Sequence, residues 1–370
     1  MADAPATIHV LLAAGGTGGH LFPAEALSHA LRRRHVNVTL VTDTRAIEFA
    51  GGFPADAVHA VPSATPSGGS LLGKIEAAFQ LAKGVFAARK LLGEMKPDIV
   101  VGFGGYPTVP PLLAASMMRI ATIVHEQNAV VGRANRFLSG RVGVIATGFA
   151  DVGGLSDAAR AKCVHVGNPV RPAVTHAAST AFEAPETLGD LRLLVFGGSQ
   201  GARVMADVLP PALEQLSPSE TARLVIVQQA RVEDDRRVRS VYERLGLRHT
   251  ISHFFHNLPE EMARAHLVIG RSGASTVAEL GVIGRPSILV PLPGALDQDQ
   301  TANAKSLEAI GAATLIPQSE FTPKRLAAEL RGLLADPVSL TQAAQAAKTA
   351  GIPNAAERLA DLVVATARGE

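Results

Sequence analysis

The segment Ile8-His9-Val10-Leu11-Leu12-Ala13-Ala14-Gly15-Gly16-Thr17-Gly18-Gly19-His20 runs from an apolar stretch into a glycine-rich turn. The pattern returns in Leu191-Arg192-Leu193-Leu194-Val195-Phe196-Gly197-Gly198-Ser199-Gln200-Gly201-Ala202. A strand that turns on bare glycines into a helix leaves backbone N–H groups directed at open space, which suits a phosphate or another anion. Two such turns half a chain apart point to two nucleotide-type α/β domains facing one cleft.

The rest of the chain fits that frame. Strand-like runs are expected at Ile8–Ala14, Val36–Thr42, Asp98–Phe103, Ala121–His125, Val142–Ala146 and Cys163–Val166, with helices at Leu21–Arg34, Gly73–Glu94 and Val131–Ser139. The second half repeats the alternation, with strands at Leu191–Phe196, Arg223–Gln228, Thr250–Phe254, Leu267–Ile269, Ser287–Val290 and Ala313–Ile316. Helices are expected there at Arg203–Leu216, Asp234–Leu245, Ser275–Val282, Gln300–Ala309 and Pro323–Leu334. This order predicts an α/β fold of two Rossmann-like, doubly wound parallel sheets with helical crossovers on both faces. The break falls at Gly167-Asn168-Pro169-Val170-Arg171-Pro172, where two prolines favour extended backbone. Residues 173–190 read as a surface connection, and after Gly351-Ile352-Pro353 a last amphipathic helix runs to about Arg368, with Pro353 in its first turn.

Bulk properties narrow the class. At 370 residues, ~100–200 residues per domain allows two or three domains. The net charge of +2 gives no reason to expect a nucleic-acid partner. Residues 1–168 carry a mildly basic balance and the remainder a mildly acidic one. The single cysteine, Cys163, excludes an intrachain disulfide and a cysteine-cluster metal site, and its setting Lys162-Cys163-Val164-His165-Val166 reads as a strand with a buried thiol. No basic segment followed by a long apolar one opens the chain and no stretch approaches ~18 strongly apolar residues, so neither a signal peptide nor a membrane span is expected. A soluble cytoplasmic protein fits these properties.

Neither turn completes a dinucleotide fingerprint. Leu21 stands where the third glycine of a G-x-G-x-x-G beginning at Gly16 is needed, and Ser199 stands at the middle glycine of the second turn. Asp43 keeps a nicotinamide reading open as a ribose ligand. Neither turn carries the Gly-Lys-Ser/Thr of a P-loop. His20 could hydrogen-bond backbone at the helix entry, or act as a general base or diphosphate contact.

Arg271-Ser272-Gly273-Ala274-Ser275-Thr276-Val277-Ala278-Glu279 follows the strand Leu267-Val268-Ile269. Ser272 and Gly273 fall where a helix begins, so free N–H groups and the positive dipole end should meet an anion. Glu279 lies on the same helix face as Ser272 and Ser275, placed either to accept a vicinal diol or to pair with a surface cation. In Val290–Ala304 a strand ends at prolines and a helix starts near Asp297, so Asp297-Gln298-Asp299-Gln300 could meet sugar hydroxyls or simply cap that helix. Gly102-Phe103-Gly104-Gly105-Tyr106-Pro107 and His125-Glu126-Gln127-Asn128 both follow strands, where an open parallel sheet binds ligands, although His125 and Glu126 could also form a structural pair. Leu72, Ile75, Phe79, Ala82 and Phe86 repeat at helical spacing among Lys74, Lys83, Arg89 and Lys90, as a core-packing stripe or an anionic-membrane contact.

Together, Gly15–His20, Gly102–Tyr106, His125–Asn128, Gly167–Arg171, Gly197–Ala202, Arg271–Glu279 and Asp297–Ala304 resemble the MurG family of bacterial peptidoglycan glycosyltransferases, of the two-domain GT-B class. The resemblance implies transfer of N-acetylglucosamine (GlcNAc) from UDP-GlcNAc to the C4-OH of the muramyl sugar of lipid I, yielding lipid II at the inner membrane face. It implies UDP contacts from Ser199 and from Arg271, Ser272, Gly273, Ala274, Ser275, Thr276, Val277, Ala278 and Glu279, with Glu279 on the ribose, Ala274 and Ser275 facing the diphosphate, and a backbone group of Phe255 on uracil. Asp299 and Gln300 match positions that hold the GlcNAc hydroxyls, and Asn128, Arg171, Thr17, Gly18 and Gly19 match donor-binding positions. The first glycine turn, including Gly15 and Gly16, with Gly104, Gly105 and Tyr106, is expected to face the acceptor and its diphosphate. Leu72, Ile75, Phe79 and Phe86 are expected against an anionic inner-membrane surface.

On the same grounds residues 1–168 form an acceptor and membrane-facing domain, residues 169–352 a UDP-GlcNAc domain, and residues 353–370 pack back on the first. No cofactor or metal is expected, and cell-wall synthesis proteins are further expected partners. His20 is the first candidate for the base and Glu126 the second, in an inverting single displacement with domain closure about Asn168–Arg171. The chain departs from the family at Asp299, which stands where a neutral residue is usual, in a loop before Asp297 one residue longer than expected, and in having no tryptophan. Met117 and Met118 would join Phe79 and Phe86 in its place. Another GT-B glycolipid transferase and a non-catalytic nucleotide-sugar-binding protein are the competing readings.

Overall fold

The computed structural model describes residues 7–15, 18–43, 52–62, 71–186, 188–198, 201–294 and 298–370, with the backbone alone at 71, 72, 74 and 75. The chain forms two compact units, one made of the residues up to Arg171 with Pro353–Glu370, the other of Pro172–Ile352.

The first unit is built on seven parallel strands: β1 (His9–Ala13), β2 (Asn37–Thr42), β3 (Ala57–Ala60), β4 (Ile99–Gly102), β5 (Ala121–Glu126), β6 (Val144–Thr147) and β7 (Cys163–His165). They lie in the order β3-β2-β1-β4-β5-β6-β7, with Ala13 beside Val41 on one side and Gly102 on the other. Central strands covered on both faces are apolar throughout, and Val10, Leu11, Leu12, Val100 and Val101 are fully buried. The strand order reverses between β1 and β4, so Ala14 and Gly15 after the first strand and Phe103–Tyr106 after the second leave the sheet at its switch point, where open parallel sheets bind ligands.

The second unit repeats the plan with β8 (Leu191–Phe196), β9 (Leu224–Gln229), β10 (Arg248–Ser252), β11 (Leu267–Gly270), β12 (Ser287–Leu289) and β13 (Ala313–Leu315). Their order, β10-β9-β8-β11-β12-β13, puts the switch point between β8 and β11, where Phe196 pairs with Gly270. The second glycine turn and Arg271–Gly273 leave the sheet there.

Helices close both faces. Leu359, Ala360 and Val363 of the last helix, Ala355–Arg368, are buried with Leu27 and Leu31 of the helix Gly18–Arg32. Burying a leucine or valine contributes about 1.5–3 kcal/mol, so this contact firmly returns the chain end to the first unit. Arg34 adds ion pairs to Glu357 at 2.9 Å and Asp361 at 2.8 Å.

Several expectations are corrected. A further helix, Val109–Met117, was not among those expected; Pro110 and Pro111 lie in its first turn, where a missing N–H is harmless. The strand β3 and the helix Val338–Ala350 were also missed. Residues 173–190 are no simple connection: Pro172–Ala177 is helical, and the buried Arg285 donates to the Thr180 and Ala181 carbonyls just beyond it, at 3.1 and 3.4 Å. Burial lowers the Arg285 pKa to about 10. Pro353 precedes the Asn354 cap instead of lying in the helical first turn. Cys163 is half-buried, its thiol 3.5 Å from the Ala159 carbonyl.

Candidate active site

In the second unit the turn after β8 needs glycine for steric reasons. A Cβ on Gly197 would lie 2.0 Å from the Ala202 nitrogen, while Gly198 and Gly201 have φ of +86° and +69°. Ser199 lies outside the described residues.

Beside this turn, Gly273 caps the helix Ala274–Ile283 in an extended conformation and, being glycine, brings no side chain to accept from the first-turn amides. The first of those amides used within the helix is Val277 N–H, which donates to Gly273 O at 3.0 Å. Val277 is 4% exposed with its N–H used inside the helix, so the amides left for an anion are those of Ala274, Ser275 and Thr276. A Cβ at Gly273 would meet no described atom within 4 Å, so the helix entrance is open. The buried Ser275 hydroxyl has no hydrogen-bond partner among the described residues. Ala278 is half-buried, and Glu279 follows one turn beyond Ser275, buried at 6% exposure.

The neighbouring residues brace this entrance. Ser272, fully buried, donates its hydroxyl to Gln300 O at 2.8 Å, and Asn303 Nδ2 donates to Ser272 O at 3.2 Å. The helix bearing Gln300 begins at Asp299, with Gln298 at its cap in the left-handed region; Asp297, expected at its start, lies outside the described residues. Asp299 is half-buried, and the Gln300 Oε1 already accepts from Leu292 N–H at 3.0 Å. Arg271 was expected on the nucleotide. Its guanidinium instead donates to Val290 O and Pro291 O at 3.0 and 2.9 Å and to Gln318 Oε1 at 2.7 Å, fastening the loop after β12. Phe255 is half-buried in the loop after β10.

The first unit assembles a second cluster. Gly104 and Gly105 have φ of +82° and +75°, and Tyr106 begins the short helical turn Tyr106–Thr108. A Cβ at Gly105 would lie 3.4 Å from His20 Cε1, and one at Gly104 would lie 3.3 Å from Asn135 Nδ2, so this turn touches both side chains. His20 sits in the first turn of the helix Gly18–Arg32, beside the exposed Gly19. His20 is half-buried, and its Nδ1 is buried without a partner among the described residues. Burial lowers the His20 pKa, and the Gly15 backbone partly offsets this. Gly16 and Thr17 lie outside the described residues.

Glu126, expected as an alternative base, is fully engaged and 1% exposed. Its Oε1 accepts from Asn128 N–H at 2.9 Å and Asn128 Nδ2 at 3.3 Å, and its Oε2 from Gly132 N–H at 3.0 Å and Asn135 Nδ2 at 2.8 Å. Burial raises its pKa, against the pull of these four donors. Such a carboxylate shapes its loop and has little capacity left to take a proton from a substrate. His125, fully buried, bonds through Nε2 to Gly167 O at 3.0 Å. The Arg171 guanidinium lies 3.9 Å from the centroid of the Phe22 ring, a cation–π contact.

The glycosyltransferase family 28 N-terminal domain matches residues 10–147 and its C-terminal domain residues 192–359. A Methylobacterium nodulans protein is 58% identical over 97% of this chain and 96% of its own length, and is named UDP-N-acetylglucosamine--N-acetylmuramyl-(pentapeptide) pyrophosphoryl-undecaprenol N-acetylglucosamine transferase. A Rhodopseudomonas palustris protein of the same name is 56% identical over 98% of both chains. The crystal structure of Acinetobacter baumannii MurG superposes with a TM-score of 0.78, at 30% identity over 96% of this chain and 99% of that one. The chain belongs to the MurG family of glycosyltransferases.

The two parallel-sheet units are those of the GT-B fold, as the family resemblance implied. Within this MurG-family chain, sequence reasoning missed Asn135, Gln318 and Phe22, which hold Glu126, Arg271 and Arg171 respectively. None of the three lies in a glycine-rich or charged motif. Asn135 alone had a usable signal, an amide in the first turns of a helix next to the His125–Asn128 segment.

Proposed function

We propose that this chain catalyses transfer of GlcNAc from UDP-GlcNAc to the C4-OH of the muramyl sugar of lipid I, with inversion, to make lipid II for peptidoglycan synthesis. The observation that carries the donor side is the uncapped entrance of the helix Ala274–Ile283 at the β8/β11 switch point, with the orphaned Ser275 hydroxyl beside it. UDP lies on the second unit with its diphosphate at this entrance. Leaving-group charge builds on that diphosphate in the transition state, where fixed N–H dipoles stabilise it without reorganising. Glu279 accepts from the ribose hydroxyls, and Asp299 and Gln300 hold the sugar.

The acceptor lies on the first unit, against the turns Gly15–Gly19 and Gly104–Tyr106. His20 removes the proton from its C4-OH. The burial that depresses its pKa keeps the imidazole neutral near pH 7, the form that can accept a proton. Glu126 acts by holding Asn128 and Asn135 in place.

The membrane side rests on a surface of the first unit. Phe79 and Phe86 are 68% and 75% exposed on the helix Leu71–Met95, and Met117, on the helix packed against it, is 63% exposed. Lys83, Arg89 and Lys90 are exposed on the same helix, and Arg141 stacks over the exposed Phe137 ring at 4.4 Å. An apolar patch among basic side chains suits a peripheral site on the anionic cytoplasmic face of the inner membrane, where each cation adds about 1 kcal/mol. No helix among the described residues is long and apolar enough to cross a membrane. The side chains of Leu72 and Ile75 lie outside the described residues.

Radiolabelled UDP-GlcNAc with a short-chain lipid I analogue tests the reaction. Label transferred to the lipid is the expected result. Binding of UDP-GlcNAc without transfer would favour a non-catalytic binding protein, and transfer only to other acceptors would favour a different glycolipid enzyme.

A further inference from the structure

The last residue of β9, Gln229, is 7% exposed and uses both ends of its amide. Its Oε1 accepts from Gly197 N–H at 3.0 Å, and its Nε2 donates to His253 O at 3.2 Å. Because one partner can only donate and the other only accept, these contacts set the orientation of the amide. Gly197 is the first residue of the glycine turn after β8. His253 lies two residues before Phe255, in the loop after β10. Two residues beyond Gln229, Arg231 Nη2 donates to Gly201 O at 3.3 Å, at the far end of the same turn.

We infer that Gln229 is a positioning residue for nucleotide binding, setting the spacing between the turn that faces the diphosphate and the loop that presents backbone to the base. The inference rests on the reading that the second unit holds UDP. Gln229 does not itself touch the nucleotide: it takes up the Gly197 N–H where the turn leaves β8. The primary amide of glutamine supplies an acceptor and a donor together at this reach. Glutamate would keep the bond from Gly197 N–H but set an oxygen against the His253 carbonyl, and methionine would keep the length and lose both bonds. The preceding residue provides an internal control. Gln228 is fully buried, accepts from the Tyr242 hydroxyl and points away from this turn, since side chains alternate along a strand.

The test is UDP titration by calorimetry on the full chain, with a thermal melt of each variant. Gln229→Met should weaken UDP about tenfold, as expected for two hydrogen bonds that orient the site. KM for UDP-GlcNAc should rise by a similar factor, with kcat changed less than about threefold. Gln229→Glu should lose a comparable factor, and it carries the test if the methionine variant does not fold. Gln228→Met should lower Tm and leave UDP affinity within about twofold. Wild-type affinity in the folded Gln229 variants, or an equal loss in Gln228→Met, would overturn the inference. Failure of the unmodified chain to bind UDP would instead overturn the donor-site reading on which it rests.

Discussion

The Asn135 side-chain amide donates to the Glu126 carboxylate at 2.8 Å and at 3.2 Å to the His125 carbonyl, tying the loop after β5 to the helix Arg133–Leu138. Glu126 thereby sits among four donors and has no acceptor among its partners. Glu126→Gln would turn an NH2 group toward at least one of those donors. Leaving buried groups unsatisfied costs about 1–3 kcal/mol. The expected outcome is a Tm lower by several degrees together with reduced kcat. A variant with normal Tm, a kcat reduced across the whole pH range and the acid limb of the profile lost would restore Glu126 as the base.

For His20→Ala the expected outcome is a fall in kcat of about 100- to 10,000-fold with UDP affinity unchanged, since acid–base help has that size and the ring belongs to the other unit from the donor site. Because burial lowers the His20 pKa, the acid limb of the kcat/KM profile should fall below pH 6.5. Steady-state rates across pH with a calorimetric UDP titration check both statements, and a near-normal rate would remove His20 from the mechanism.

Ser275→Ala separates binding from stability. The hydroxyl is buried without a partner among the described residues, so removing it should leave Tm unchanged or slightly higher. UDP affinity should fall several-fold if the diphosphate is its missing partner. Glu279→Ala should weaken UDP by about tenfold or more, because bonds to a charged group are worth about 1.5–3 kcal/mol. Unchanged titration of UDP by either variant would count against its assigned contact.

His125 makes the fold sensitive to acid. Burial brings its pKa down to about 4 from 6.5, so between those values the unfolded chain binds a proton that the native chain does not. This contribution is present in full above pH 6.5 and is lost as pH falls toward 4. It amounts to about 2 kcal/mol of stability lost between pH 7 and pH 5. Denaturant melts at the two pH values should show that difference, and His125→Gln should shrink it.

Phe79→Ser with Phe86→Ser should release the protein from anionic vesicles. Each ring withdrawn from lipid removes about 1.5–3 kcal/mol, so sedimentation with phosphatidylglycerol vesicles should drop sharply. Because both rings are exposed, Tm should hold. Undiminished sedimentation would move the membrane contact elsewhere.

The glycine turns, the alternation of strands and helices, and the helix starting at Gly273 were legible because each is a local matter. A Cβ that cannot be accommodated, an apolar run of strand length and an uncapped first turn all lie within about ten consecutive residues. Sequence order also placed the turns at the ends of β1 and β8, although only the sheet pairing revealed that these are the switch points.

What only the tertiary structure decided was the direction and partnership of individual side chains. Arg271 and Glu279 both read as nucleotide contacts, and only the tertiary structure added that the Arg271 guanidinium reaches Gln318, 47 residues away, and braces a loop. Gln229 lies one residue beyond the strand expected from the sequence, and only the fold shows that Gly197, 32 residues earlier, is its partner. The stripe at Phe79 and Phe86 had the spacing of a core helix, and packing turned it outward. Periodicity records that a face is apolar and a motif records which groups are available. Whether a buried donor finds its acceptor depends on segments brought together from far along the chain, and that is settled only when the sheets close.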